Sequence, residues 1–269
     1  MVLSLGENNE EQALTIRAAG VDFYAQQRGE RPDTLFVHGF GGDLHFWDSL
    51  WAALGGKLQG LRYDLRGFGR SLTDSDEPFS HSEDLLAILD ALAIEQCDLV
   101  GLSMGGAVAL NFALNHPQRV RRLVLISPGL VAWEWSDEWK ALWRPIFARA
   151  RDGDMDGARE LWWQHPLFAT TRGSDSAQIL YDSVQRYSGA QWIRDNERQE
   201  LPDIDRLQAL QVPTLLLTGG RDMQEFRLMA DAIESCAPNI QRVDFPDLGH
   251  LVCLEDAPAC AAQILRFLN

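Results

Sequence analysis

Along the chain, short apolar runs alternate with segments whose apolar positions recur every three to four residues. The runs are TLFVHGF (34–40), GLRYDL (60–65), CDLVGLS (97–103), RRLVLIS (121–127), PTLLLTG (213–219) and IQRVDFP (240–246). They are too apolar to have a solvated face, so each reads as a strand covered on both sides, the pattern of a parallel sheet between helices. Residues 81–94, 104–116, 224–236 and 256–268 read as helices, and residues 13–26 as a leading antiparallel hairpin. This alternation predicts an α/β fold built on a mostly parallel, doubly wound sheet of about eight strands.

One segment departs from the rhythm. Residues 130–206 show no strand pattern and are dominated by helical periodicity. They hold Trp133, Trp135, Trp139, Trp143, Trp162, Trp163 and Trp192, seven of the nine tryptophans. A helical excursion between two sheet strands predicts an inserted cap over 130–206, with the core formed by 1–129 and 207–269.

Composition narrows the partners. The chain has 269 residues, 46% of them hydrophobic, enough for one large core with an inserted lobe. With 24 Lys plus Arg against 39 Asp plus Glu, the formal charge is −15. Such a field repels phosphate, so neither nucleic acid nor an anionic membrane is an expected partner. No run is long enough for a membrane span. The start, MVLSLGENNEEQ, lacks the basic and apolar regions of a secretory leader. Cys97, Cys236, Cys253 and Cys260 show no CxxC spacing and read as reduced thiols, so a cytoplasmic protein is expected. The six histidines lack ligand spacing and GFGRS is not a dinucleotide loop, so neither metal nor cofactor is expected.

The chemistry centres on GLSMGG. Ser103 stands between Gly101 and Gly105, where an apolar strand gives way to a helical pattern. Glycines there allow a tight turn, and the helix that follows directs free N–H groups at the same point. A turn of this composition can also be purely structural, and its context decides. VHGFGG (37–42) follows another strand, where the backbone N–H of Phe40 or of its neighbour can join that of Met104 in an oxyanion hole; His38 reads as a structural hydrogen-bonding residue. GGRDMQ places Asp222 at the end of a strand, and DLGHLV places His250 in the loop before the closing helix. Serine, acid and histidine thus occur in the order of a nucleophile–acid–base triad, each at a strand end. YDLRGFGRS (63–71) reads as a charged turn fixed by Asp64 and Arg66.

Together HGFGG, DLRGFGRS, GLSMGG, GGRD and GH, in this order, resemble the α/β-hydrolase fold superfamily over nearly the whole chain. The resemblance implies that Ser103 is the nucleophile, His250 the base and Asp222 the orienting acid. It also implies that Phe40 and Met104 supply the oxyanion-hole N–H groups and that 130–206 is the cap. A serine at the nucleophile position separates the chain from the haloalkane dehalogenases and epoxide hydrolases, which carry aspartate. HGFGGD lacks the proline of the Gly-Pro-Gly-like loop usual in carbon–carbon bond hydrolases. Carboxylesterases and enol-lactone hydrolases fit the remaining pattern. The pyruvate-eliminating lyase of the menaquinone pathway is similar in GGRDMQEF and WWQHPLF, but Ala107 stands where that lyase carries arginine.

The expected activity is therefore hydrolysis of a small carboxylic ester or lactone through an acyl-enzyme. The lyase and a non-catalytic ligand-binding member of the same fold are the alternatives. Adjacent Trp162 and Trp163 cannot both face one core from a helix, so one is expected to border a pocket for an apolar or aromatic acyl group.

Overall fold

The structure, a computed structural model, describes residues 11–198 and 200–269. Residues 1–10 of the stretch read above for a leader lie outside them. Eight strands form one sheet: β1 (Glu11–Ala18), β2 (Val21–Arg28), β3 (Thr34–Val37), β4 (Gly60–Tyr63), β5 (Cys97–Leu102), β6 (Val120–Ile126), β7 (Thr214–Gly219) and β8 (Ile240–Phe245). Their order across the sheet is β1-β2-β4-β3-β5-β6-β7-β8. The β1–β2 and β2–β4 pairs are antiparallel, and every pair from β4 to β8 is parallel. Parallel strands place their C-terminal ends on one edge, where an open α/β sheet collects its loops into a crevice.

The helices are α1 (Asp48–Leu54), α2 (His81–Ala91), α3 (Met104–Asn115), α4 (Asp137–Arg151), α5 (Met155–Trp163), α6 (Ala169–Arg172), α7 (Ala177–Arg186), α8 (Ala190–Ile193), α9 (Gln224–Cys236), α10 (Val252–Glu255) and α11 (Ala257–Leu268). The expected final helix, 256–268, is α11, and the short α10 precedes it: Asp256 ends α10 and caps α11 by accepting the Ala259 N–H at 3.0 Å. Helix α1 has no counterpart among the predicted elements. Leu50, Trp51 and Leu54 are its buried set, with Trp47 just before it continuing the spacing of three and four, and Phe36 packs edge-on against both tryptophans.

Every position of β3, β4, β5 and β7 is buried, as their apolar runs require. β8 departs from the expectation of two covered faces. It is an edge strand with no fully buried residue, and its outward Arg242 bonds Asp231, Glu234 and Asp244 at 2.7–2.9 Å. Charge on an edge strand discourages pairing with another chain.

Between β6 and β7 the chain runs through α4 to α8. Both ends of this segment meet at Asp203, which is fully buried. Its carboxylate accepts from the Val131 N–H at 3.2 Å, from Asn111 on α3 at 3.0 Å and from Arg206 at 2.9 Å, while its own N–H donates to the Val131 carbonyl at 3.2 Å. Burial pushes the carboxyl pKa up, and these donors hold it back. The four cysteines are free, and all but Cys236 are buried.

Helix α3 also packs closely on the end of β3. A Cβ on Gly105 would stand 2.0 Å from the Val37 carbonyl oxygen and 2.4 Å from that of His38. Neither backbone atom can turn aside. Gly105→Ala is therefore expected to lower stability by about 1–3 kcal/mol or to prevent folding, measured as the urea midpoint and the yield of folded protein.

Candidate active site

Four loops at the C-terminal edge of the sheet converge on one point. The first is the β5–α3 turn. Ser103 has φ 54° and ψ −114°, a backbone conformation that is rare for a residue with a side chain. It is held by its own N–H donating to the Ile126 carbonyl at 2.9 Å, and by its carbonyl accepting from Ala107 and Gly129 at 3.0 and 2.9 Å. The turn closes because Gly101 and Gly105 touch: a Cβ on Gly101 would lie 2.3 Å from the Gly105 carbonyl oxygen.

The loops after β7 and β8 bring in Asp222 and His250. His250 Nε2 lies 2.8 Å from Ser103 Oγ, and its Nδ1 lies 2.9 and 3.1 Å from the two carboxylate oxygens of Asp222. All three side chains are buried. Asp222 also accepts from the Met223 N–H at 2.7 Å. With the Nδ1 N–H donating to the Asp222 carboxylate, Nε2 is left to accept from the serine hydroxyl. Glu255 steadies the histidine loop, accepting from the Gly249 N–H at 2.6 Å and from the Thr171 hydroxyl at 2.5 Å. The ring of Phe226 lies 4.2 Å from the His250 ring, centroid to centroid.

The fourth loop follows β3. Gly39 lies against Ser103, and a Cβ on it would stand 3.3 Å from the serine Cβ. Among the described residues, the N–H groups of Phe40 and Met104 meet no protein acceptor. Both residues border the cavity that holds Ser103. His38 sits underneath, fully buried, donating from Nδ1 to the Gly39 carbonyl at 2.8 Å and accepting the Leu65 N–H on Nε2 at 3.0 Å. That pairing needs a neutral ring, and burial lowers the His38 pKa accordingly. Asp64 joins this loop to the next one, accepting from the N–H groups of Leu44 and Arg70 at 2.8 and 2.7 Å. Arg66 makes a buried two-pronged pair with Asp84 at 2.7 and 2.5 Å.

The cavity above Ser103 has a volume of about 1050 Å³ and is walled by Trp135, Trp139, Trp143, Trp162, Phe168 and Phe226. Trp162 packs against Phe40 and Trp143, and its indole nitrogen lies where a Cβ on Gly41 would come within 2.8 Å. Trp163 does not border this cavity. One residue further on, α5 has turned by about 100°. Trp163 packs instead against Tyr181, with the Arg172 guanidinium 5.9 Å from its ring. The expectation of a ligand-facing tryptophan thus attaches to Trp162 alone. Trp135, Trp139, Trp143 and Phe147 were not singled out by the sequence reading, although their spacing of four marks one continuous aromatic face.

A profile of the alpha/beta hydrolase fold matches residues 35–160. The chain is 30% identical to a putative carbamate hydrolase RutD of Variovorax paradoxus, over 87% of this chain and 90% of that one. The chain belongs to the α/β-hydrolase fold family. Within it, the chain is 29% identical to the 2-hydroxymuconate semialdehyde hydrolase of Pseudomonas putida, over 97% of this chain and 96% of that one. With the enzyme of that name from Pseudomonas sp. strain CF600, identity is 34% over 54% of each chain, about half of that relative's length. A hydrolase from Pseudomonas aeruginosa PA01 superposes with a TM-score of 0.80 at 26% identity, covering 96% of this chain and 98% of that one. The enol-lactonase of Burkholderia xenovorans LB400 shares the fold, with a TM-score of 0.79 at 23% identity and coverage of 95% and 99%. These relatives support a hydrolase. No helix among the described residues is long and apolar enough to cross a membrane.

Two buried histidines make stability depend on pH. Burial, with the nearby charges of His38 and Arg66, holds His81 down to about 3, and burial with His250 and Arg172 holds His165 down to about 4. An unfolded histidine titrates near 6.5. Below that pH the unfolded chain takes up protons that the folded chain refuses, so these groups cost stability as pH falls from about 6.5 towards 4. Each adds a slope of about 1.4 kcal/mol per pH unit in that window. Urea unfolding between pH 7 and pH 4.5 is expected to show the loss, and His165→Gln to remove one proton's share of the slope.

Proposed function

We propose that the chain is a serine hydrolase that cleaves a small carboxylic ester or lactone through an acyl-enzyme on Ser103. The observation that carries this reading is the continuous hydrogen-bonded line from Ser103 Oγ through His250 to Asp222, opening on a cavity. In this reading His250 takes the serine proton as Oγ attacks the carbonyl carbon. Asp222 holds the imidazole in the tautomer with the proton on Nδ1 and stabilises the imidazolium that forms. The oxyanion is met by the N–H groups of Phe40 and Met104, the latter at the N-terminus of α3, where the helix dipole also favours negative charge. His250 returns its proton to the leaving oxygen, and water activated by the same imidazole releases the acid.

Residues 130–206 serve as the cap in this proposal. Its tryptophans supply an apolar wall, and the preferred acyl group is apolar or aromatic along the part that touches them. The relatives named for 2-hydroxymuconate semialdehyde make that compound a second substrate to set beside the esters.

A fluorophosphonate probe is expected to label wild-type protein at Ser103, read by peptide mass spectrometry, and to leave Ser103→Ala unlabelled. Ser103→Ala should abolish turnover of a panel of chromogenic esters, lactones and the semialdehyde while the circular dichroism spectrum stays unchanged. Asp222→Asn should reduce kcat by about four orders of magnitude if it sets the tautomer. Retention of most activity by pure Ser103→Ala protein would remove the assignment.

Trp162→Ala is expected to shift the ratio of kcat/KM values from acetyl to octanoyl esters, by about 10-fold or more across the series. It should also lower kcat, because the indole supports the Phe40–Gly41 loop. Trp163→Ala should leave the ratios as they are.

A further inference from the structure

Helix α4 turns two different faces towards its surroundings. At about 100° per residue, Trp139, Trp143, Ile146 and Ala150 fall on one side, which is packed inward. Lys140, Arg144, Phe147 and Arg151 fall within an adjoining arc of about 60°. All four of these border the cavity that holds Ser103, and the three cations are exposed at its mouth. Among the described residues none of the three forms an ion pair. Arg149, about 180° away from this arc, is by contrast paired with Asp154. The Glu225 carboxylate, which feels the charge of Lys140, accepts from the Ser136 N–H at 3.1 Å and the Trp133 indole N–H at 2.9 Å.

The rest of the lining makes this row distinctive. The loop after β3 and the first turns of α3, beside the nucleophile, contribute Gly39, Phe40, Met104, Ala107 and Val108, with no charged side chain among them. The lining also carries Asp195, Glu197 and Glu200, with Arg198 among them, and burial beside the other two carboxylates pushes Glu197 up to about 7. Glu200 pairs with Arg198 at 3.2 Å, and Asp195 accepts the Glu197 N–H at 2.9 Å. In a chain with formal charge −15, three cations without an ion-pair partner along one arc of a cavity-lining helix stand against the composition. From the nucleophile outward, the cavity therefore passes from backbone donors, through an aromatic wall, to a cationic rim.

We propose that the substrate carries an anionic group at the end remote from its scissile carbonyl, and that Lys140, Arg144 and Arg151 receive it while the aromatic wall holds the apolar chain between. This deepens the ester or lactone reading and rests on it. The experiment compares kcat/KM for esters of one acyl length and one leaving group whose far end is methyl, carboxylate, phosphate or ammonium. Wild type is expected to favour the anionic ends, carboxylate and phosphate being separate arms, and to lose the preference in about 0.5 M salt. Arg144→Gln should reduce the anion-to-methyl ratio about threefold, and the triple variant Lys140→Gln/Arg144→Gln/Arg151→Gln about tenfold or more. Calorimetric binding of a dicarboxylic acid monoester and its neutral counterpart to Ser103→Ala protein, with and without the three substitutions, reads the same selectivity without turnover. An unchanged ratio in the triple variant, or a preference for the ammonium end, would overturn the proposal while leaving the hydrolase reading intact. Unlabelled Ser103 alongside selective binding of the anionic ester would overturn the hydrolase reading and keep the rim.

Discussion

The site depends on how closely helix α3 approaches the sheet. Ser103 occupies a backbone conformation that costs about 1–3 kcal/mol for a residue with a Cβ, and it can do so only because the elements around it leave no alternative. Strand β5 is buried along its whole length, the Ser103 N–H is committed to β6, and its carbonyl is held by Ala107 and Gly129. Glycines at 101, 105 and 106 let α3 settle against Gly101, the Val37–His38 backbone and Pro128 without a side chain between them. This approach directs the start of the helix at the serine side chain and sets the Met104 N–H beside it.

The other loops are fixed by a shared device, a polar side chain spent on backbone N–H groups. His38 and Asp64 secure the loops after β3 and β4, and Glu255 the residue before His250. Glu225 links the approach to α4 with the start of α9, three residues beyond Asp222. Net worth per bond is modest, about 0.5–1.5 kcal/mol, yet each unpaired group would cost more. Segments far apart in the chain are thereby held to one geometry, although none of the loops is regular structure.

Much of this was legible in the sequence. Parallel strands covered on both sides announce themselves as apolar runs, and the glycines around Ser103 have one physical reading once a strand and a helix flank them. The order Ser103, Asp222, His250 followed from three strand ends. Strand β8 was harder, because its composition resembles that of a covered strand and only the sheet order shows it to be the edge. Helix α1 was missed although Trp47, Leu50, Trp51 and Leu54 carry its period; the short helix lies between glycine-rich turns that mask its limits. The pair Trp162 and Trp163 could be divided in principle, since neighbours on a helix point apart, but which of them meets the cavity depends on how α5 is seated. The cationic arc of α4 required knowing which arginines have partners, and that is a property of the folded chain alone.

The junction at Asp203 has a consequence for how such a chain can vary. The segment between β6 and β7 departs and returns at neighbouring points, Val131 and Asp203, stitched together by two backbone-directed bonds and anchored to Asn111 on α3. Closing a longer excursion between two fixed points costs only about 0.6 kcal/mol per doubling of its length. The sheet thus tolerates change in the length of this segment, while Thr171 and Trp162 within it still touch the loops beside His250 and Ser103. A lineage could exchange helices, lengthen them or redraw their surface while inheriting the turn at Ser103 unchanged, so that chemistry and selectivity diverge on separate clocks.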